Sequence, residues 1–591
     1  MANKGFGGAK SGSSQSAKQF ILKFKKYWEA NPDIKKAHQF FSSHLSELNE
    51  SLLSSLPLIF RELTKNKKPQ EQNQIAEVFG NFGYALREFP LGDRALNLEL
   101  SITSLQLSLK VFTRNFFPKE WATAQNNLGT TYSNRIRGER ADNLELAISS
   151  YELALQVCTR DAFPEDWAIT QHNLGTTYSN RIRGERADNI ELAIASYELA
   201  LQVRTRDAFP ENWAMTQNNL GIAYRSRIRG ERADNLEQAI TSYELALHVY
   251  TRESFPKDWA MTQNNLGNAY SDRIKGERAD NIELAIASYE LALQVKTRDA
   301  FPEDWAMTQH NLARAYRDRI LGERTENIEQ AIYLFKQAAQ VFTSKSYPEK
   351  WSTNQAHLAE AFIKRAELTN SCTDLDIAIE LLQSSLELAV VGSPDYIDTN
   401  YRLGNALSRR YEHTKNADEL EQAMQAYKIA LDAISPEHYD RKQIWQALPT
   451  TQVILGSRLV SDGEWQEGLQ MLLNGLTQLS TGDEPLAHAN ALYQTGRAYE
   501  IMSDLDKARL FYRDALRLYD HLNDALGTTQ SRAGLGSVLV SQGHLEKGIR
   551  ELAQAREGYL QLQSPEQAHE TDNIYQAAQR ALERQATEVY A

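Results

Sequence analysis

A tryptophan recurs every 46 residues through the middle of this chain, at Trp121, Trp167, Trp213, Trp259, Trp305 and Trp351, each three residues behind a proline. A fixed period of this length means one structural unit repeated head to tail, and it constrains the architecture before any other feature does. The unit reads as two helices. Pro302 suits a first helical turn, where its missing N–H costs nothing, and Glu303 and Asp304 complement the positive end of the helix that follows. Trp259, Leu266, Tyr270 and Ile274 recur at spacings of seven, four and four, an apolar stripe at helical period. Gly276 is placed to end this helix A in a left-handed turn. Asp280-Asn281-Ile282-Glu283 reads as a cap with a glutamate three positions on, opening helix B. The stripe of helix B is Ile282, Ala285, Ile286, Tyr289, Ala292 and Leu293, and its alanines let the two helices approach closely.

The phase extends beyond the tryptophans. Gly83, Gly92, Arg94 and Asn97 fall 46 residues before Gly129, Gly138, Arg140 and Asn143. Phe362, Ala378, Leu403, Gly404 and Ala423 mark two weaker units, after which Gly456, Gly496 and Gly536 stand 40 apart. The expected fold is all-α, a solenoid of about eleven helix-turn-helix repeats with a small N-terminal helical segment. Residues 1–17 are Gly/Ser/Lys-rich and expected to be a disordered basic tail, 18–66 a helical segment out of phase with the repeats, and 67–75 a linker. The 46-residue array then covers 76–445, the 40-residue array 446–563, and a capping helix 564–591.

Leu266, Gly267, Tyr270, Ala285, Tyr289, Ala292 and Pro302 together resemble the tetratricopeptide-repeat signature. The 46-residue unit is longer than the roughly 34 residues usual for that repeat. The longer unit and its Asn-Asn-Leu-Gly core resemble the kinesin-light-chain type of repeat, and arrays found in cyanobacteria beside caspase-like protease domains; no such protease domain is present here. The resemblance implies a right-handed superhelix whose concave face holds partner proteins or peptides.

The candidate binding residues lie inside the register. An asparagine precedes the Leu-Gly position of each helix A, at Asn81, Asn127, Asn173, Asn219, Asn265 and Asn311. Asparagine inside a helix costs roughly 0.5 kcal/mol against alanine, yet a row of them carries both donors and acceptors and can satisfy an extended backbone without reading its sequence. In kinesin-light-chain-type domains this position grips bound peptide, so the resemblance makes these six the binding residues. Asn126, His172, Asn218, Asn264 and His310, one position earlier, are expected to share the groove. The plainer alternative is hydrogen bonding between repeats. Against it, the divergent first unit keeps Asn81 while carrying Phe82 and Leu86 where its neighbour has Leu128 and Tyr132; His357 breaks the row. A second row, Arg135, Arg137, Glu139, Arg140 and their equivalents, reads as charges pairing between stacked loops. Variation at Thr130, Ile222, Asn268 and Arg314 is where selectivity for a partner would be encoded.

Composition narrows the function. The net charge is −12, and residues 1–70 carry twelve Lys/Arg against five Asp/Glu, so the remaining body is more acidic still. Such a body argues against nucleic acid as the main partner. The only cysteines are Cys158 and Cys372, which excludes a disulfide framework and a cysteine zinc site and fits a reducing cytoplasm. Cys158 stands where sister units have Arg204, Tyr250 and Lys296, and reads as a tolerated outward position. No HExxH, GxSxG or paired CxxC is present, so no enzyme, metal or cofactor is expected. Around Lys23, Lys25 and Lys26 the segment 18–30 sets Phe20, Phe24, Tyr27 and Trp28, an aromatic face suited to packing on residues 38–60 or, less favoured, to an anionic membrane. The function expected is a cytoplasmic protein- or peptide-binding scaffold. The alternative is a signalling regulator whose solenoid controls a basic N-terminal effector or membrane-contacting segment.

Overall fold

The structure, a computed structural model, describes residues 8–434, 441–480 and 484–589, so the first seven residues of the expected tail lie outside it. Among the described residues there is no strand; 26 α-helices and one short 3-10 turn make the whole fold. They fall into two compact units, residues 1–300 and 301–591.

The first unit opens with α1 (Gly8–Ala30), α2 (Ile34–Ser43) and α3 (Glu50–Thr64). Five A/B pairs follow: α4 (Pro69–Glu88) with α5 (Arg94–Ser108), α6 (Pro118–Ser133) with α7 (Arg140–Leu155), α8 (Pro164–Ser179) with α9 (Arg186–Leu201), α10 (Pro210–Arg225) with α11 (Arg232–Leu247), and α12 (Pro256–Asp272) with α13 (Arg278–Leu293). The second unit holds six more, from α14 (Pro302–Asp318) and α15 (Arg324–Ala339) to α24 (Ala525–Ser541) and α25 (Leu545–Gln561), and closes on α26 (Pro565–Val589). Eleven helix pairs are thus described, and in the 46-residue region every helix A after α4 starts on the proline of the register.

The Leu-Gly pair is explained by the approach of A and B. A methyl group on Gly129, Gly175, Gly221 or Gly267 would stand 2.7–2.9 Å from the ring of Tyr151, Tyr197, Tyr243 or Tyr289 on the paired helix B, closer than atoms can pack. Each tyrosine is at most 2% exposed. The next repeat makes the point by exception: Ala313 replaces the glycine, and the facing residue is Phe335, also buried.

Three local expectations are corrected. Helix B starts at Arg278, with Glu277 at its N-cap and no side-chain cap. Asp280 and Asn281 therefore lie inside the first turns, and Asn281 is buried and turned back onto the preceding loop, its Nδ2 donating to the Lys275 carbonyl at 2.9 Å. Helix A ends at Asp272, four residues before Gly276, which sits in the loop at φ +80°. Ile274 belongs to that loop too and is 59% exposed, as are its counterparts Ile136, Ile182 and Ile228 at 60–61%. It leaves the stripe because the loop has already turned away.

The arginine row joins repeats. Arg135, Arg181, Arg227 and Arg273 each form a two-pronged ion pair with a glutamate on the helix B before them, respectively Glu99, Glu145, Glu191 and Glu237, at 2.7–2.9 Å. Planar guanidinium against carboxylate fixes the stagger of one repeat on the next.

At the N-terminus, α1 begins at Gly8, inside the stretch expected to lack structure, and α4 begins at Pro69, inside the expected linker. Phe20, Ile21 and Phe24 of α1 are at most 2% exposed. The Phe24 ring stacks on Phe41 of α2 at 5.4 Å and meets Phe82 of α4 edge-on at 5.0 Å. The aromatic face expected on residues 18–30 is therefore packed on the first repeat. Among the described residues no helix is long and apolar enough to cross a membrane.

Candidate functional site: the groove along helices A of the first unit

A helix A faces its own helix B on one side and the neighbouring helices A on another, which leaves one edge of each free to line a shared channel. In the first unit that edge bounds a cavity of about 890 Å³ running along α4, α6, α8 and α10. Asn81, Asn127 and Asn173 line it, together with Asn126, Tyr84, Arg87, Thr130, Ile169, Arg204 and Met215. These three members of the expected row are half-buried, as are Asn219 and Asn265 further along. Asn311, in the second unit, is buried.

The asparagines also bond to one another across repeats. Asn173 Nδ2 donates to Asn126 Oδ1 at 3.2 Å, and Asn265 Nδ2 to Asn218 Oδ1 at 3.2 Å. Arg87 Nη1 donates to Asn127 Oδ1 at 3.1 Å while its Nε holds Glu88. Each bond engages one of the four hydrogen-bonding sites of a side-chain amide, so an amide half-exposed in the cavity retains capacity for a ligand. The row is a repeat-to-repeat fastening and a lining at once.

The positions one residue earlier divide. Asn126 lines the cavity. His172, Asn218, Asn264 and His310 are instead buried between repeats, at 5%, 1%, 7% and 6% exposure. A helical step of one residue rotates the side chain by about 100°, which carries it from the free edge into the interface with the next helix A. There the side chains form a defined network. Thr216 Oγ1 gives its single proton to the Asn212 carbonyl at 2.7 Å, so towards Arg204 Nη1 (3.1 Å) and His172 Nδ1 (3.0 Å) it can only accept. His172 thus carries its proton on Nδ1, and its bare Nε2 faces the Asn219 amide at 3.5 Å. Burial, with the Arg204 charge adding to it, pulls the His172 pKa down to about 3, which keeps the ring neutral. In the second unit His310 Nδ1 lies 3.0 Å from Asn354 Oδ1, and burial takes its pKa down to about 4.

The position three residues past the end of helix B is not the outward one its variability suggests. Cys158 is 2% exposed, Arg204 5%, Tyr250 3% and Lys296 5%. Cys158 packs with Trp121 and Trp167, and Tyr250 with Trp213 and Trp259, so the tryptophans of consecutive repeats close over this place. Variation between chemically unlike residues reads as surface from sequence alone, and that reading missed Arg204. A signal was present: the place stands nine residues before the most regular aromatic in the chain, Cys158 before Trp167 and Arg204 before Trp213. Burial pushes the Cys158 thiol up to about 11, so it is no thiolate at neutral pH.

Fold and groove define an all-helical repeat scaffold with a lined channel. The family model for the tetratricopeptide repeat matches residues 121–158 and 213–247, each one A/B pair of the register. Over these two pairs the chain carries tetratricopeptide repeats, and that repeat fold is in general a protein-interaction scaffold. No curated protein matches it in sequence. Similar solved structures include the apo form of the quorum sensor NprR from B. thuringiensis, at 15% identity and TM-score 0.43 over 69% of this chain and 99% of that one. The human IFIT1 dimer with m7Gppp-AAAA is 16% identical, TM-score 0.39, covering 85% and 94%. Repeats of a putative kinesin light chain from Podosopora anserina are 16% identical, TM-score 0.26, covering 37% and 96%.

Proposed function

We propose that this protein is a scaffold or adaptor that holds an extended segment of a partner protein along the helices A of its first unit, with Asn81, Asn127 and Asn173 bonding the partner's backbone. One observation carries the reading: the three amides stand on successive helices A in a single cavity of about 890 Å³, each half-buried rather than sealed. Amides that served packing alone would be enclosed, as Asn218 is at 1% exposure. Their spacing by whole repeats suits a ligand that runs across the helices, and backbone recognition leaves sequence selectivity to the residues between them. Asn219 and Asn265, also half-buried, continue the same register within the first unit and are proposed as its extension. Cytoplasmic residence fits the two free cysteines.

Photo-crosslinking tests the placement. Short extended peptides bearing a benzophenone at the centre, irradiated with the full chain, are expected to label α4, α6, α8 or α10, with Met215 a favoured target. Labelling confined to the helices B would overturn it. The alternative, a regulator acting through a membrane-contacting N-terminal segment, has less support, because the apolar face of α1 is spent on Phe40, Phe41 and Phe82.

A further inference from the structure

The place after helix B holds Phe112, Cys158, Arg204, Tyr250, Lys296 and Phe342 in turn, every one 1–7% exposed. Repeats otherwise nearly identical thus bury an aromatic ring, a thiol, a guanidinium or an ammonium at one structural position. The packing does not require a cation there. A guanidinium taken out of water without a counter-ion is costly, so its presence in one repeat calls for a reason. Arg181 and Arg227, in the loops that follow α8 and α10, have carboxylates in two-pronged contact. Arg204 has none: among the described residues its hydrogen bond goes to Thr216 Oγ1, and Glu165 acts on it through its field alone. Burial draws its pKa down to about 10, the mark of a charge whose hydration is not replaced. Thr216 Oγ1 is also engaged by His172 and Asn212. That leaves most of the five guanidinium N–H groups of Arg204 for another acceptor, and Arg204 lines the cavity that Asn127 and Asn173 line. Glu77, Glu120 and Asp166 border the same cavity without forming an ion pair with it.

We propose that Arg204 is an oxyanion subsite of the groove, which takes an acidic group carried by the bound chain: a side-chain carboxylate, or a phosphate on a hydroxyl side chain. The subsite rests on the groove reading above and assigns it a chemistry. The repeats around it supply fold-compatible variants. Arg204→Tyr installs the residue that the next repeat carries at Tyr250, and Arg204→Lys the one carried at Lys296. Full-length protein is titrated with four pools of labelled peptides, degenerate except for a central Glu, Gln, phosphoserine or Lys. The wild type is expected to bind the Glu pool roughly tenfold or more above the Gln pool, the scale of one charge-assisted bidentate contact. A phosphoserine pool above the Glu pool identifies phosphate as the source, and the reverse order a carboxylate; both support the subsite. Arg204→Lys keeps the preference, while Arg204→Tyr levels Glu with Gln. Equal binding of Glu and Gln by the wild type, or a preference that survives Arg204→Tyr, overturns the subsite and leaves the groove standing. A wild type that binds none of the pools overturns the groove reading and the subsite with it.

Discussion

Thr216 shows how much one hydroxyl can decide. Because it spends its proton on the Asn212 carbonyl, it sets the tautomer of His172 and accepts from Arg204, tying two consecutive repeats together. The neutral state of His172 then becomes a stability term. Its folded pKa, about 3, lies below the roughly 6.5 of an unfolded histidine. Between these values the unfolded chain binds a proton that the folded chain refuses, so this contribution is whole above pH of about 6.5 and is lost as the pH falls towards 3. His172→Asn places there the residue of Asn126, Asn218 and Asn264. Going from pH 7 to 5, the wild type is expected to lose on the order of 2 kcal/mol more than the variant. Parallel denaturation curves would refute that. Glycine gives a second residue-scale expectation. Gly175→Ala drives a methyl into the Tyr197 ring, which Thr176 pins through its hydroxyl at 3.1 Å. The cost should be about 1–3 kcal/mol. Adding Tyr197→Phe, the pairing that Ala313 and Phe335 already use, should restore part of it, read as a lower cost for the double than for the single variant.

At the scale of the element, the helix starts were legible and the helix ends were not. Proline at N1 is a backbone fact, so each register proline after α4 marks a helix start to the residue. The sequence points to Gly276 as the end of helix A because glycine with positive φ does close helices, but here three residues of loop intervene before it. Asp280-Asn281 resembled a cap because capping chemistry and loop-stapling chemistry use the same side chains; only the position of the helix start separates them. The N-terminal segment was legible in composition and ambiguous in use, since one aromatic face serves a protein core or a membrane equally. Its burial settles which face is used. Phe24→Ala removes a ring in contact with Phe41 and Phe82 and should cost about 3–5 kcal/mol. Proteolysis within residues 18–30 should accelerate in that variant while the later helix pairs stay protected. Equal cleavage in both proteins would mean that α1 is not docked.

For the whole molecule, periodicity told the architecture and concealed part of the site. The helix pairs from α6 and α7 to α12 and α13 follow from a register of tryptophan, Leu-Gly, tyrosine and proline, since each keeps the same packing task from one unit to the next. The asparagine row was visible because it is constant. Arg204 was hidden because the reading equates inconstancy with exposure, whereas a solenoid buries variable residues wherever a groove wall is made to differ from repeat to repeat. The groove itself is the central claim. Its most direct test is the affinity of the full chain for short extended peptides before and after the double substitution Asn127→Ala and Asn173→Ala, with the unfolding midpoint recorded for both proteins. At least a tenfold loss of affinity across peptide sequences is expected, on the order of two backbone hydrogen bonds at about 1 kcal/mol each, in a variant that remains folded. Undiminished binding by the folded variant would contradict it.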